Sequence, residues 1–125
     1  MIYHFTIPIL PLVKKNNRPI WKTKLGRPFI GKSSRLINAE KSTLDYLFIE
    51  KIKNNIKKPI EKVERVEMYF YINHKRVIDT TNLAELPQDC LQECGIIIND
   101  RILHPIFLDT LYDKVNPRTE IFLFI

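Results

Sequence analysis

The stretch from Val63 to Asn73 constrains the fold more than any other. Val66, Met68, Phe70 and Ile72 alternate with Glu67, Tyr69 and Tyr71. A period of two puts the first set on one face of a β-strand. Helical spacing brackets that strand. Upstream it runs through Leu36, Ile37, Leu44, Leu47, Phe48 and Ile52, and downstream through Leu83, Leu86, Cys90, Leu91 and Cys94.

Helix-boundary residues sharpen both helices. Ser33 or Ser34 is placed to cap the first, and Pro59 lies beyond its end. Thr80 or Thr81 suits the N-cap of the second, and Gly95 its end. Pro87 is the flaw: inside a helix it forfeits one hydrogen bond and clashes with the carbonyl of Leu83, typically costing about 3 kcal/mol. Either the helix kinks there or its first part is a short turn. Residues 2–9 read as a first strand, and "RILHPIFLDTLYD" and "RTEIFLFI" as two more joined by a turn at "KVNP". The order β, loop, α, β, α, β, β predicts one small α+β domain over residues 1–125, a mixed β-sheet with two main helices packed on it.

Residues at about 10–32 predict a basic loop. Three prolines, two glycines and many cations leave no helical period between Pro11 and Arg35, so the segment reads as extended and partly mobile. Trp21 and Phe29 lie among those charges. They either stack on bases or anchor the loop to the core.

Charge is divided along the chain. Residues 1–76 hold 17 Lys and Arg against 6 Asp and Glu, whereas residues 77–125 hold 3 against 8. That division predicts a polyanion-binding half joined to an acidic site, with nucleic acid the leading partner. Cys90 and Cys94 have neither a second pair nor a nearby His, which is no zinc spacing, and they read as small buried hydrophobes. No apolar run approaches the roughly 18 residues that span a bilayer, and "MIYHFTIPILPLVKKNN" does not have the pattern of a signal peptide. The expectation is a cytoplasmic protein without a membrane partner.

Asp79, Glu85, Asp89 and Asp100 crowd into one short span. On a helix starting near Thr81, Asn82, Glu85 and Asp89 share a face. Asp79 ends the preceding strand, and Asp100 lies where the chain turns back beyond Gly95. Two carboxylates about 4 Å apart repel by roughly 4 kcal/mol at an effective dielectric of about 20. If these groups converge, they need protons, basic neighbours or a hard divalent ion such as Mg²⁺ or Mn²⁺. Such an ion beside a phosphate-attracting surface suits phosphodiester hydrolysis. The other reading is ordinary: Asp79 caps the helix, Glu85 and Asp89 face solvent, and Asp100 sits in a turn.

"DTTNLAELPQDCLQECGIIINDRIL" resembles the central motif of the RusA family of Holliday-junction resolvases, found mainly in phages and prophages. "TIPILPLVKKNNRPIW" resembles that family's opening strand and basic loop, and "NPRTEIFLFI" its closing strand. The resemblance covers nearly the whole chain in order. It implies a homodimeric, Mg²⁺-dependent endonuclease that binds four-way DNA junctions by shape and nicks them symmetrically in recombination and repair. Asp79 and Asp100 match its metal-binding positions, Asn82 its motif asparagine and Asp89 a further acidic position. Thr81 stands where a second aspartate is usual, Glu85 where a lysine is usual, and Asn99 where the first residue of an Asp-Asp pair is usual.

The expected site therefore comprises Asp79, Glu85, Asp89 and Asp100 as catalytic metal ligands, with Thr81 and Asn82 supporting. Lys14, Lys15, Arg18, Lys22, Lys24, Arg27, Lys75, Arg76 and Arg101 would face DNA. The alternative is a family-like protein that binds branched DNA with weakened or lost incision. A third reading is an RNA-binding or RNA-cleaving protein, because the basic half does not tell the two nucleic acids apart.

Overall fold

A computed structural model describes residues 1–17 and 19–125. The chain is an α+β domain whose mixed sheet carries two helices on one face. The alternating segment forms β4 (Arg65–Ile72), with Val66, Met68, Phe70 and Ile72 all buried. Strand β7 (Arg118–Phe124) lies antiparallel to it, and β1 (Ile2–Ile7) is antiparallel to β7 on the far side. Strands β5 (Pro105–Phe107) and β6 (Leu111–Tyr112) run parallel to β4 on its other edge. The predicted strand over 101–113 is thus two short pieces preceded by a 3₁₀ turn at Asp100–Ile102. The turn at "KVNP" does not join a hairpin: it carries the chain across β4, from β6 on one side to β7 on the other.

Helix α1 spans Ser34–Lys53, with Ser33 as N-cap accepting from the Leu36 N–H at 3.1 Å. Helix α2 spans Thr80–Glu93, and its N-cap is Asp79 rather than Thr80 or Thr81. The carboxylate accepts the Thr81 N–H at 2.9 Å, a charged cap at the positive end of the helix dipole. Gly95, at φ +78°, ends α2 as expected. Its N–H reaches the Gln92 carbonyl and the next N–H reaches Leu91, the paired bonds that close a helix through a left-handed residue.

Pro87 sits within α2, which is continuous through it. Pro87 is buried and lines a small pocket with Leu10, Pro11 and Leu12, a burial that works against the cost of the missing hydrogen bond. The core lies between the sheet and the helices, where Phe5, Phe70, Ile121 and Leu123 meet Leu36, Leu47, Leu83 and Leu91. No helix among the described residues is long and apolar enough to cross a membrane.

The other sheet face is uncovered by either helix. It carries half-buried Tyr69, Tyr71, Phe122 and Phe124, and its charges are paired. Arg118 lies 3.8 Å from the Tyr71 ring centroid and bonds both Asp113 and Glu120. His4 contacts Glu120 as well.

Cys90 is buried and Cys94 partly so, and neither is disulfide-bonded. Burial, with Glu93 nearby, pushes the Cys90 thiol up to about 12. A thiol raised this far stays protonated, and therefore unreactive, through neutral pH. We expect iodoacetamide at about pH 8 to leave Cys90 unmodified in the native protein, with both thiols alkylated only after denaturant is added. Intact-mass spectrometry after each treatment checks this.

Candidate nucleic-acid interface

The β4–α2–β5 crossover positions the acidic residues. Because β5 runs parallel to β4, α2 must travel back along the length of the sheet between them. Asp79 lies beyond the C-terminal end of β4. Asp100 lies between the Ile60–Ile97 bridge and Pro105, which pairs with Val66, so it sits at the N-terminal end of β4. Its N–H is held at 3.1 Å by the side chain of Gln92, a residue about 18 Å along α2 from Thr80. Carboxylates that share one ion must bring their oxygens within roughly 5 Å.

Asp79 and Asp100 therefore flank opposite ends of the crossover. Among the described residues, no three of His, Cys, Asp and Glu are grouped closely enough to hold a metal ion. The expected convergence of Asp79, Glu85, Asp89 and Asp100 is not present within one chain.

The helical-face expectation fares differently. Asn82, Glu85 and Asp89 are all half-buried along one side of α2, and Thr81 is exposed. Asp89 is 2.5 Å from the Nζ of Lys14, whose side chain is only 11% exposed and also lies 3.9 Å from Glu40. Lys14 thus ties the 3₁₀ turn at Lys14–Asn17 to both helices instead of facing outward. Arg101 is exposed beside Asp100, at the far end of the sheet from the other cations.

The cations gather at the Asp79 end. Arg35 and Arg76 line a cleft of about 430 Å³ with His74, Asn17, Val77 and Ile78, and among the described residues no acidic side chain lines it. Lys75 occupies the other side of the same segment, 5.4 Å from the centroid of the Tyr112 ring. The segment joining β4 to α2 is therefore a basic wall that ends at Asp79. Sequence reading missed Arg35 and His74. Arg35 stands in the first turn of α1, and only the packing of 73–78 beside that turn brings it into the cleft.

Asn17 connects this cleft to the segment expected to be a loop. Its carbonyl accepts the Ser33 N–H at 2.9 Å and its side chain meets the Ser33 hydroxyl at 3.3 Å. Between these closing contacts the chain forms an antiparallel hairpin, β2 (Ile20–Lys22) and β3 (Pro28–Ile30). The turn is set by Thr23, whose hydroxyl and N–H both bond Arg27, and by Gly26 at φ +80°. Lys22, Lys24 and Arg27 are exposed on it, and Lys15 is exposed on the preceding 3₁₀ turn. Arg18 lies outside the described residues.

No protein-family model matches this chain, and no curated protein matches it.

Proposed function

We propose that this chain binds branched DNA of the kind that junction resolvases act on, through the cleft of Arg35, His74 and Arg76 and the adjoining basic hairpin. One observation carries the reading: cations from α1 and from the β4–α2 segment converge in a concavity without a carboxylate in its lining. Such a surface attracts phosphates irrespective of base sequence. The RusA-like order of motifs supplies the substrate class. Binding without incision is the version best supported within one chain, because Asp100 is held away from Asp79 and Asp89 is held by Lys14.

Metal-dependent incision is the second reading. Its support is the position of Asp79 directly behind the basic wall, with Asn82 and Glu85 following on one helix face. This version requires another acidic group to reach the Asp79 end, and a two-fold homodimer would be its source.

Both versions are tested on a four-way junction, a Y-fork, a linear duplex and a structured RNA, each with and without Mg²⁺ or Mn²⁺. Preferential junction binding in the absence of metal is the expected result. Equal affinity for all four probes would defeat the proposal. For incision, Asp79→Asn and Asp100→Asn are each expected to be silent alone. Mixed and refolded together, they would nick the junction if two subunits share each site, since one of the two sites in a mixed dimer keeps both aspartates. Wild-type protein that leaves the junction intact in every metal removes the second reading.

A further inference from the structure

The β2–β3 hairpin stands apart from the domain's main sheet, and among the described residues its strands pair only with each other. Ile20, Trp21, Leu25, Phe29 and Ile30 are all exposed on it. An isolated two-stranded hairpin is marginal in water, and a cluster of exposed apolar side chains marks an interaction site. Trp21 and Phe29 are cross-strand partners, packed edge to face with centroids 5.8 Å apart.

Gly31 shapes this pair. A Cβ there would fall 2.4 Å from Cε3 of Trp21, so the indole lies directly over the glycine. The ring is thus held in place by Gly31 and Phe29 while remaining 46% exposed. Lys22, Lys24 and Arg27 flank it, with no acidic residue between Pro19 and Gly31.

We propose that this hairpin is a base-stacking wedge: Trp21, backed by Phe29 and Gly31, stacks on an unpaired or unstacked base while Lys22, Lys24 and Arg27 hold the neighbouring phosphates. The inference rests on the nucleic-acid reading above and assigns the part of the ligand that the hairpin engages. Charge complementarity selects a polyanion. The aromatic surface selects its unpaired segments, because every base offers a π-face and duplex bases are already stacked. Stacking of this kind is tolerant of sequence and adds to the phosphate contacts of the cleft.

Trp21 is the chain's one tryptophan, so its emission reports this contact directly. The intact protein is titrated with an end-labelled oligothymidylate, a four-way junction and a blunt duplex, and label anisotropy is followed beside tryptophan fluorescence. Strong quenching is expected with the oligothymidylate and the junction, and little with the duplex. Trp21→Leu should weaken oligothymidylate binding by about 5- to 100-fold, with Trp21→Phe restoring part of it. Gly31→Ala should lose affinity with no change in charge. Circular dichroism should stay unchanged, since the hairpin lies outside the core.

Anisotropy that reports saturable binding while Trp21 emission stays constant would overturn the wedge and leave the cleft reading standing. Absence of binding to any of these probes would remove both. A blue shift with vesicles of phosphatidylglycerol and phosphatidylcholine, with no response to nucleic acid, would overturn the wedge in favour of a membrane surface.

Discussion

Replacing Arg35, Lys75 and Arg76 together with alanine is expected to weaken junction binding by about 500-fold at roughly 0.1 M salt, and to flatten its salt dependence. Each phosphate neutralised on duplex DNA contributes about 0.9 to the slope of log affinity against log salt, through release of condensed counterions. Three lost contacts therefore remove about 2.7 from the slope, and extrapolation to about 0.1 M gives the stated loss. Arg35, Lys75 and Arg76 are exposed, so the unfolding curve should be nearly unchanged. Anisotropy titrations at four or more salt concentrations measure the slope directly. An unaltered slope would place the DNA elsewhere on the surface. Lys14 is the instructive contrast: held against Asp89 and Glu40, it links the helices and contributes little to this slope.

Phe70→Ala is expected to cost about 3–5 kcal/mol of folding stability, a large part of the roughly 5–15 kcal/mol that holds a typical domain together. Phe70 is 1% exposed, on the central strand and facing the core beneath both helices. Its deletion leaves a cavity that a sheet paired on both sides cannot collapse to fill. Tyr69, its immediate neighbour, points to the open face, where its hydroxyl bonds Glu67 at 3.2 Å. Tyr69→Ala should cost well under half as much. Urea unfolding of the two variants decides the matter. Equal losses would mean that the open face is as tightly packed as the core, which would imply a covering partner.

That contrast shows how much of the fold is legible in the sequence. Two adjacent aromatics in "MYFY" have opposite fates, and the period of two assigns them correctly because a strand can bury only alternate residues against one layer. The stripe of α2 and its end at Gly95 were equally readable, being set within a few residues by side-chain spacing and one left-handed backbone position. The hairpin was not. Its prolines, glycines and cations have the composition of a loop, and its pairing depends on Trp21 meeting Phe29 across a turn.

Nor did the sequence show where the carboxylates go. The spacing of Asn82, Glu85 and Asp89 reported a common helix face correctly. Spacing along a helix says nothing about which end a later residue returns to, and it is the parallel pairing of β4 with β5 that carries Asp100 to the far end of the sheet. Asp79 caps α2, as one of its two sequence readings expects. Of the cleft only Arg76 was marked by the sequence, because Arg35 comes from a separate element, the first turn of α1.

From its letters alone this chain settles where both helices and the strands β1, β4 and β7 lie, which side of each helix and of β4 is apolar, and that positive charge collects in its first 76 residues. These properties follow from short-range periodicity and composition, which need no knowledge of neighbours. Only the tertiary structure decides that β7 is inserted between β1 and β4, that α2 separates two aspartates, and that Arg35 and Arg76 share one cleft with His74. Strand order and cleft composition depend on contacts between segments far apart in the chain, and no local pattern encodes which distant partner a buried face or a charged side chain will meet.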